Sequence, residues 1–117
     1  MNNIINLAAK PIDVPISTIG EDNRYVAFDL MVLASGLIEL RAVYNDYSPY
    51  TGRYDYVEID RKAVEAEDAV DFATDMEHDA AGYLADMNIG GHADGRVAER
   101  VGRALDRLTA APVTSAA

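Results

Sequence analysis

An α+β fold is predicted: an antiparallel β-meander of three to four strands, followed by two α-helices packed on one face. Three observations predict it. Residues 24–60 alternate β-branched and aromatic side chains with polar ones. Residues 61–88 carry apolar side chains at spacings of three and four, the period of an amphipathic helix. The strands come in one run and the helices in another, which is the order of a segregated layer fold.

The chain of 117 residues suits a single domain, 1–117, because either half alone would be short of core. Its expected parts are an extended segment or edge strand at 1–22, the meander at 24–60, an acidic helix at 61–88, a second helix at 94–109 and a loose tail at 110–117. In the first part, Ile4, Ile5 and Leu7 suit a short edge strand, while Pro11 and Pro15 forbid helix and demote any strand they interrupt. Gly20-Glu21-Asp22-Asn23 reads as a turn.

In the segment RYVAFDLMVLASG, Val26, Phe28, Leu30 and Val32 alternate against Tyr25, Ala27, Asp29 and Met31. A helical alternative exists for 26–34, since Leu, Met and Ala also suit helix. Ala34-Ser35-Gly36 makes a tight connection to a second strand, Leu37 to Tyr44, in which Glu39 and Arg41 share a face. The stretch Asp46 to Gly52 holds Ser48, Pro49 and Gly52 and reads as a loop. A third strand, Arg53 to Asp60, sets Tyr54, Tyr56 and Glu58 against Asp55, Val57 and Ile59.

Asp60 is the expected N-cap of the long helix, where a carboxylate accepts free backbone N–H groups. On its wheel Ala69, Phe72, Ala73, Met76, Ala80, Tyr83, Leu84 and Met87 share one face. The helix is expected to stop by Asn88, before Gly90-Gly91. Asp94 caps the second helix, with Val97, Val101, Ala104, Leu105 and Leu108 on one stripe and Arg96, Arg100, Arg103 and Arg107 on another. Pro112 is expected to end it. The predicted core is Val26, Phe28, Leu30, Val32, Leu40, Val57, Ile59, Phe72, Met76, Leu84, Val101 and Leu105.

Composition limits the chemistry. There is no Cys, which excludes a disulfide framework, a thiolate nucleophile and Cys-based zinc binding. No apolar run reaches the roughly 20 residues of a membrane-spanning helix, and the N-terminal stretch lacks the signal-peptide pattern, so a cytoplasmic protein is expected. The formal net charge is −10, from 20 acidic against 10 basic residues. Such a chain has too few cations to bind nucleic acid directly by counterion release, and is drawn instead to basic surfaces.

Two local patterns stand out. Asp68, Asp71, Asp75, Asp79 and Asp86 form a stripe of carboxylates along the long helix. The first to the last spans roughly 27 Å at about 1.5 Å per residue. The alternatives are a solvated face, or neutralisation by the arginine stripe Arg96/Arg100/Arg103/Arg107 within the chain or across a homodimer. The second pattern is YNDYSPYTGRYDY, which holds Tyr44, Tyr47, Tyr50, Tyr54 and Tyr56 with Asp46 and Asp55 among them. Tyrosine offers large contact area at low entropic cost, and an acidic Tyr-rich hairpin tip suits an Arg-rich partner. Tyr47 and Tyr50, beside Pro49, together with Asp46 and Tyr54, are the expected contact residues. The alternative is that these tyrosines simply line a sheet face.

Catalytic patterns are thin. His78 and His92 lie 14 positions apart, and a zinc site needs about three protein ligands. No metal or cofactor is expected, no GxSxG is present, and the serines have no adjacent base. The expectation is a small acidic non-catalytic binding protein. It would inhibit a nucleic-acid-handling partner by occupying its basic surface. In size and charge, though not by any motif, the chain is similar to phage anti-restriction and anti-CRISPR proteins. The alternatives are a structural α+β homodimer, and a small enzyme using His78 and His92 with acidic residues.

Overall fold

The structure, a computed structural model, describes the backbone of residues 12–90 and 93–116 and the side chains of 13–90 and 93–108. Ile4, Ile5, Leu7, Pro11 and His92, which the sequence singles out, lie outside the described residues. Four strands, β1 (Ile12–Gly20), β2 (Arg24–Val32), β3 (Ile38–Ser48) and β4 (Arg53–Val64), form one antiparallel sheet in the order β1-β2-β3-β4. A 3-10 turn (Ala66–Asp68) leads into α1 (Ala69–Asp86), and α2 (Arg96–Ala116) follows. The meander followed by two helices is the fold class the sequence predicts, and residues 26–32 are strand.

Alternation decides which sheet face is covered. Val26, Phe28 and Leu30 of β2 pair with Tyr44, Ala42 and Leu40 of β3, and all six are buried under the helices. The same face receives Met76 and Leu84 of α1 and Val97, Val101 and Leu105 of α2. Ile16, Ile38, Ile89 and Val97 also belong to the core, and none was predicted for it.

The two helices divide the sheet between them. Lys62 Nζ lies 5.3 Å from the Phe72 ring centroid, and the Tyr44 and Tyr83 rings are 5.4 Å apart. Lys62 pairs with Leu40, and Val57 with Tyr44. So α1 runs in the direction of β3, above the β3–β4 seam. α2 takes the other side, where Arg100 Nη1 donates to the Ile16 carbonyl of β1 at 3.3 Å. The carboxylate of Glu77 on α1 meets the first turn of α2 between them.

Several boundaries differ from the sequence expectation. Asp60 does not cap a helix: it pairs with Ala42, and β4 continues to Val64 opposite Ile38. The long strand β3 offers ladder partners that outcompete the helix propensity of Arg61, Lys62 and Ala63. The helix expected over 61–88 therefore occupies Ala69–Asp86. It closes through Asn88, at φ 59°, with Ile89 N–H donating to the Leu84 carbonyl, a left-handed C-terminal cap. α2 runs through Pro112 to Ala116 rather than ending near Thr109. Proline removes one helix donor, but its fixed φ near −65° is helical, and Ala110 and Ala111 favour helix.

The core list needs four changes. Val57 is 47% exposed, and Val32, Ile59 and Phe72 are half-buried. The shift of register between Ala42 and Val43 leaves Ile59 as an extra residue in β4, a β-bulge. Pro15 sits in β1 at a second register shift, between Pro15 and Ser17, where an edge strand tolerates a missing amide.

Candidate protein-binding surface

Small residues let α1 lie close on the sheet: Ala69, Ala73 and Ala80 are buried with Met76 and Leu84. That leaves the opposite arc of the helix in solvent. Asp68, Asp71, Asp75, Asp79 and Asp86 fall within about 80° of one another on that arc, and all five are exposed. Phe72 and Tyr83, whose contacts point toward β4 and β3, lie beside this arc on the wheel. The carboxylates therefore flank the β4 side of the helix, away from α2.

Within the chain, the described arginines of the α2 stripe form no ion pair with them. Arg96 pairs with Asp94 at 3.5 Å, Arg103 with Glu99 at 2.7 Å, and Arg100 bonds the Ile16 carbonyl. Among the described residues, no ion pair joins any of the five aspartates to an arginine or lysine.

Asp46 and Asp55 extend the acidic surface onto the sheet. They face each other across β3 and β4, on the helix-covered side that also carries Tyr44 and Val57. Like charges directly opposite are destabilising in a ladder. Arg24 stands opposite Asp46 in the β2–β3 ladder, with its guanidinium on Glu21 at 3.1 Å. The Tyr44 hydroxyl donates to Asp46 Oδ2 at 3.5 Å. Burial, then the Asp46 charge, raises the Tyr44 pKa above its ordinary value of 10.0.

The tyrosines are placed otherwise than expected. β3 extends to Ser48, so Asp46 and Tyr47 are strand residues, and only Pro49 to Gly52 form the loop. Tyr47 pairs with Tyr54 across the ladder, with ring centroids 4.7 Å apart. Tyr54 stacks on Tyr56 at 5.8 Å. This ridge lies on the sheet face opposite the helices. Tyr50 alone stands free in the turn, 97% exposed. The structure thus brings Asp46 and Asp55 to the same side as the α1 stripe, and puts Tyr47 and Tyr54 on the other.

The face opposite the helices also holds a polar cluster that the sequence did not single out. Arg41 Nε and Nη2 donate to Asp29 Oδ1 and Oδ2 at 3.1 and 2.5 Å, a bidentate pair. The hydrogen bonds it donates to Asp29 raise the Arg41 pKa further. Asp13 lies alongside, and its pKa is raised by burial first, then by the hydrogen bond and charge of Asp29. These residues line a groove of about 970 Å³ together with Asn45, Tyr56, Glu58, Arg96 and Arg100. The signal was available: a polar residue at positions 13, 29, 41 and 58 on strands whose alternate positions are mostly apolar.

His78 is exposed on α1. Among the described residues, no group of three or more His, Cys, Asp or Glu side chains is placed to hold a metal ion. The chain matches no family model, no curated protein and no solved structure. Among the described residues, no helix is long and apolar enough to cross a membrane.

Proposed function

We propose that this protein is a non-catalytic inhibitor that occupies the basic, nucleic-acid-binding surface of a partner protein. The acidic side of α1 takes the place of a phosphate backbone. One observation carries this reading: five exposed aspartates run along one side of a helix, and no cation of the described residues is bonded to them. The row spans roughly 27 Å at about 1.5 Å per residue, a length over which one strand of duplex DNA carries about eight phosphates. Aspartate side chains are short and lose little rotamer freedom on binding, so the charges are held nearly in place. Asp46 and Asp55 widen the row at its far end, beyond Tyr83.

The test is competitive capture. Immobilised protein is exposed to a cell lysate, and bound proteins are eluted with salt or with duplex DNA. A DNA-displaceable basic protein is expected on the parent. It should be absent from a variant carrying Asp68→Asn, Asp71→Asn, Asp75→Asn and Asp79→Asn, which keeps shape and removes charge. Equal capture by the variant, or no displacement by DNA, would overturn the proposal.

A further inference from the structure

We infer that the outer edge of β4 is the docking line for the partner: residues Arg53 to Glu58 accept an extended, Lys/Arg-rich segment as a fifth strand, beneath the acidic side of α1. This rests on the reading that the partner is basic, and adds how it is held.

The two edges of the sheet are built differently. β1 is blunted by Pro15, by a register shift beside it, and by Arg100 of α2, which takes the Ile16 carbonyl. β4 has none of these over Arg53–Glu58. All six residues are exposed, and among the described residues β4 has no sheet neighbour beyond it. Among the described residues, the sole further hydrogen bond to this backbone stretch is from Arg53 N–H to Thr51 Oγ1 at 3.3 Å. An edge of six residues, about 20 Å at about 3.3 Å per residue, is a template for strand addition. The bulge at Ile59 ends it.

Both sides of the edge offer side-chain contacts. Val57, 47% exposed, lies on the helix side, and Tyr54 and Tyr56, 48% and 64% exposed, lie on the other. An added strand covers both. Its alternate side chains on the helix side meet Asp55 and the C-terminal half of the α1 row, Asp79 and Asp86. Those positions suit Lys or Arg.

Charge selects a cationic segment over a second copy of this chain. Pairing β4 with its own copy by a two-fold axis places both α1 helices on the same face, with their aspartate rows toward each other. Each chain carries a net charge of −10. Like-charge juxtaposition suppresses such a pairing.

The experiment uses the full chain and a ten-residue peptide alternating Lys with Thr, followed by amide exchange in NMR. The peptide should slow exchange at amides of 54–58 by about tenfold or more at saturation. Two N-methylated peptides then separate strand addition from charge attraction. Methylating the amides of one alternate set should weaken binding more than tenfold, and methylating the other set should leave it within about threefold, because only one set of strand amides faces the partner strand. Equal binding of both methylated forms would overturn strand addition while leaving recognition of basic segments intact. Undiminished binding by an Asp79→Asn/Asp86→Asn variant, with methyl sensitivity retained, would sink the charge reading instead. No peptide binding at about 1 mM, or a free protein that is already a dimer with 54–58 protected, would also overturn the inference.

Discussion

The carboxylate of Glu77 accepts the backbone N–H of Val97 at 3.0 Å through Oε1, while Oε2 accepts that of Gly95 at 3.0 Å. A residue in the middle of one helix thereby caps the start of the next, and Asp94 Oδ1 takes the Arg96 N–H beside it. Glu77 is 1% exposed. Its charge is held by two amide donors at the positive end of α2. Glu77→Gln keeps the shape but leaves one accepting oxygen and turns an amide NH2 toward a backbone donor. A loss of about 2–3 kcal/mol is expected, since hydrogen bonds to charged groups contribute about 1.5–3 kcal/mol and the remaining group is buried. Urea unfolding measures it; an unchanged midpoint would mean that α2 is held by its apolar stripe alone.

The acidic row carries a stability cost inside the fold. Asp71, Asp75 and Asp79 stand four residues apart, and like charges at that spacing destabilise a helix by about 0.2–0.5 kcal/mol per pair. Asp68 and Asp71, near the N-terminus, gain from the helix dipole, but Asp75 and Asp79 do not. Asp75→Asn/Asp79→Asn should therefore raise stability by about 0.5 kcal/mol at low salt, because Asn and Asp have similar helix propensity. The gain should fade as salt screens the repulsion. Thermal melts at two ionic strengths test this, and a fall in stability would reveal a cation holding these carboxylates within the molecule.

Helix α1 and the β2–β3 core were legible because their periods are unambiguous and long. Asp60 was misread because an aspartate before a helix-favouring run is a strong local cap signal, whereas the competing ladder to Ala42 depends on how far β3 extends. Tyr47 was misread for the same reason: Ser48, Pro49 and Gly52 mark a turn, but not how many residues before it remain paired. Glu77 had no local signal at all, since its partners are 18 and 20 residues away. The acidic row was fully visible as a pattern, while its separation from the α2 arginines required the helices to be placed.

The revised core separates Leu84 from Val57, two apolar residues that looked alike in sequence. Leu84 has no exposed surface and belongs to the core cluster, so Leu84→Ala should cost about 2–5 kcal/mol. Val57, predicted for the core, is half in solvent, and Val57→Ala should stay within about 1 kcal/mol. Comparable losses at both sites would show that Val57 is packed as tightly as Leu84. Phe72→Ala should fall between them, as its half-buried ring also carries the Lys62 ammonium.

Tyr44 gives the fold an alkaline limit. Its ring is buried against Tyr83, and its hydroxyl faces the Asp46 carboxylate. Burial and the neighbouring charge both disfavour the phenolate, so the folded pKa lies above the unfolded value of 10.0. The sign follows from linkage. Above pH 10 the unfolded chain releases the proton first, the native state binds more protons, and stability falls as pH rises. Below pH 10 the group is neutral in both states and contributes no pH dependence. Tyr44→Phe removes the titrating proton and keeps the ring. At neutral pH the variant should melt close to the parent, because the 3.5 Å hydrogen bond it loses is long and weak. Above pH 10 the parent should lose stability faster than the variant, and the gap should widen with each increment of pH. Parallel melting curves for the two proteins across that range would show that Tyr44 ionises without opening the core.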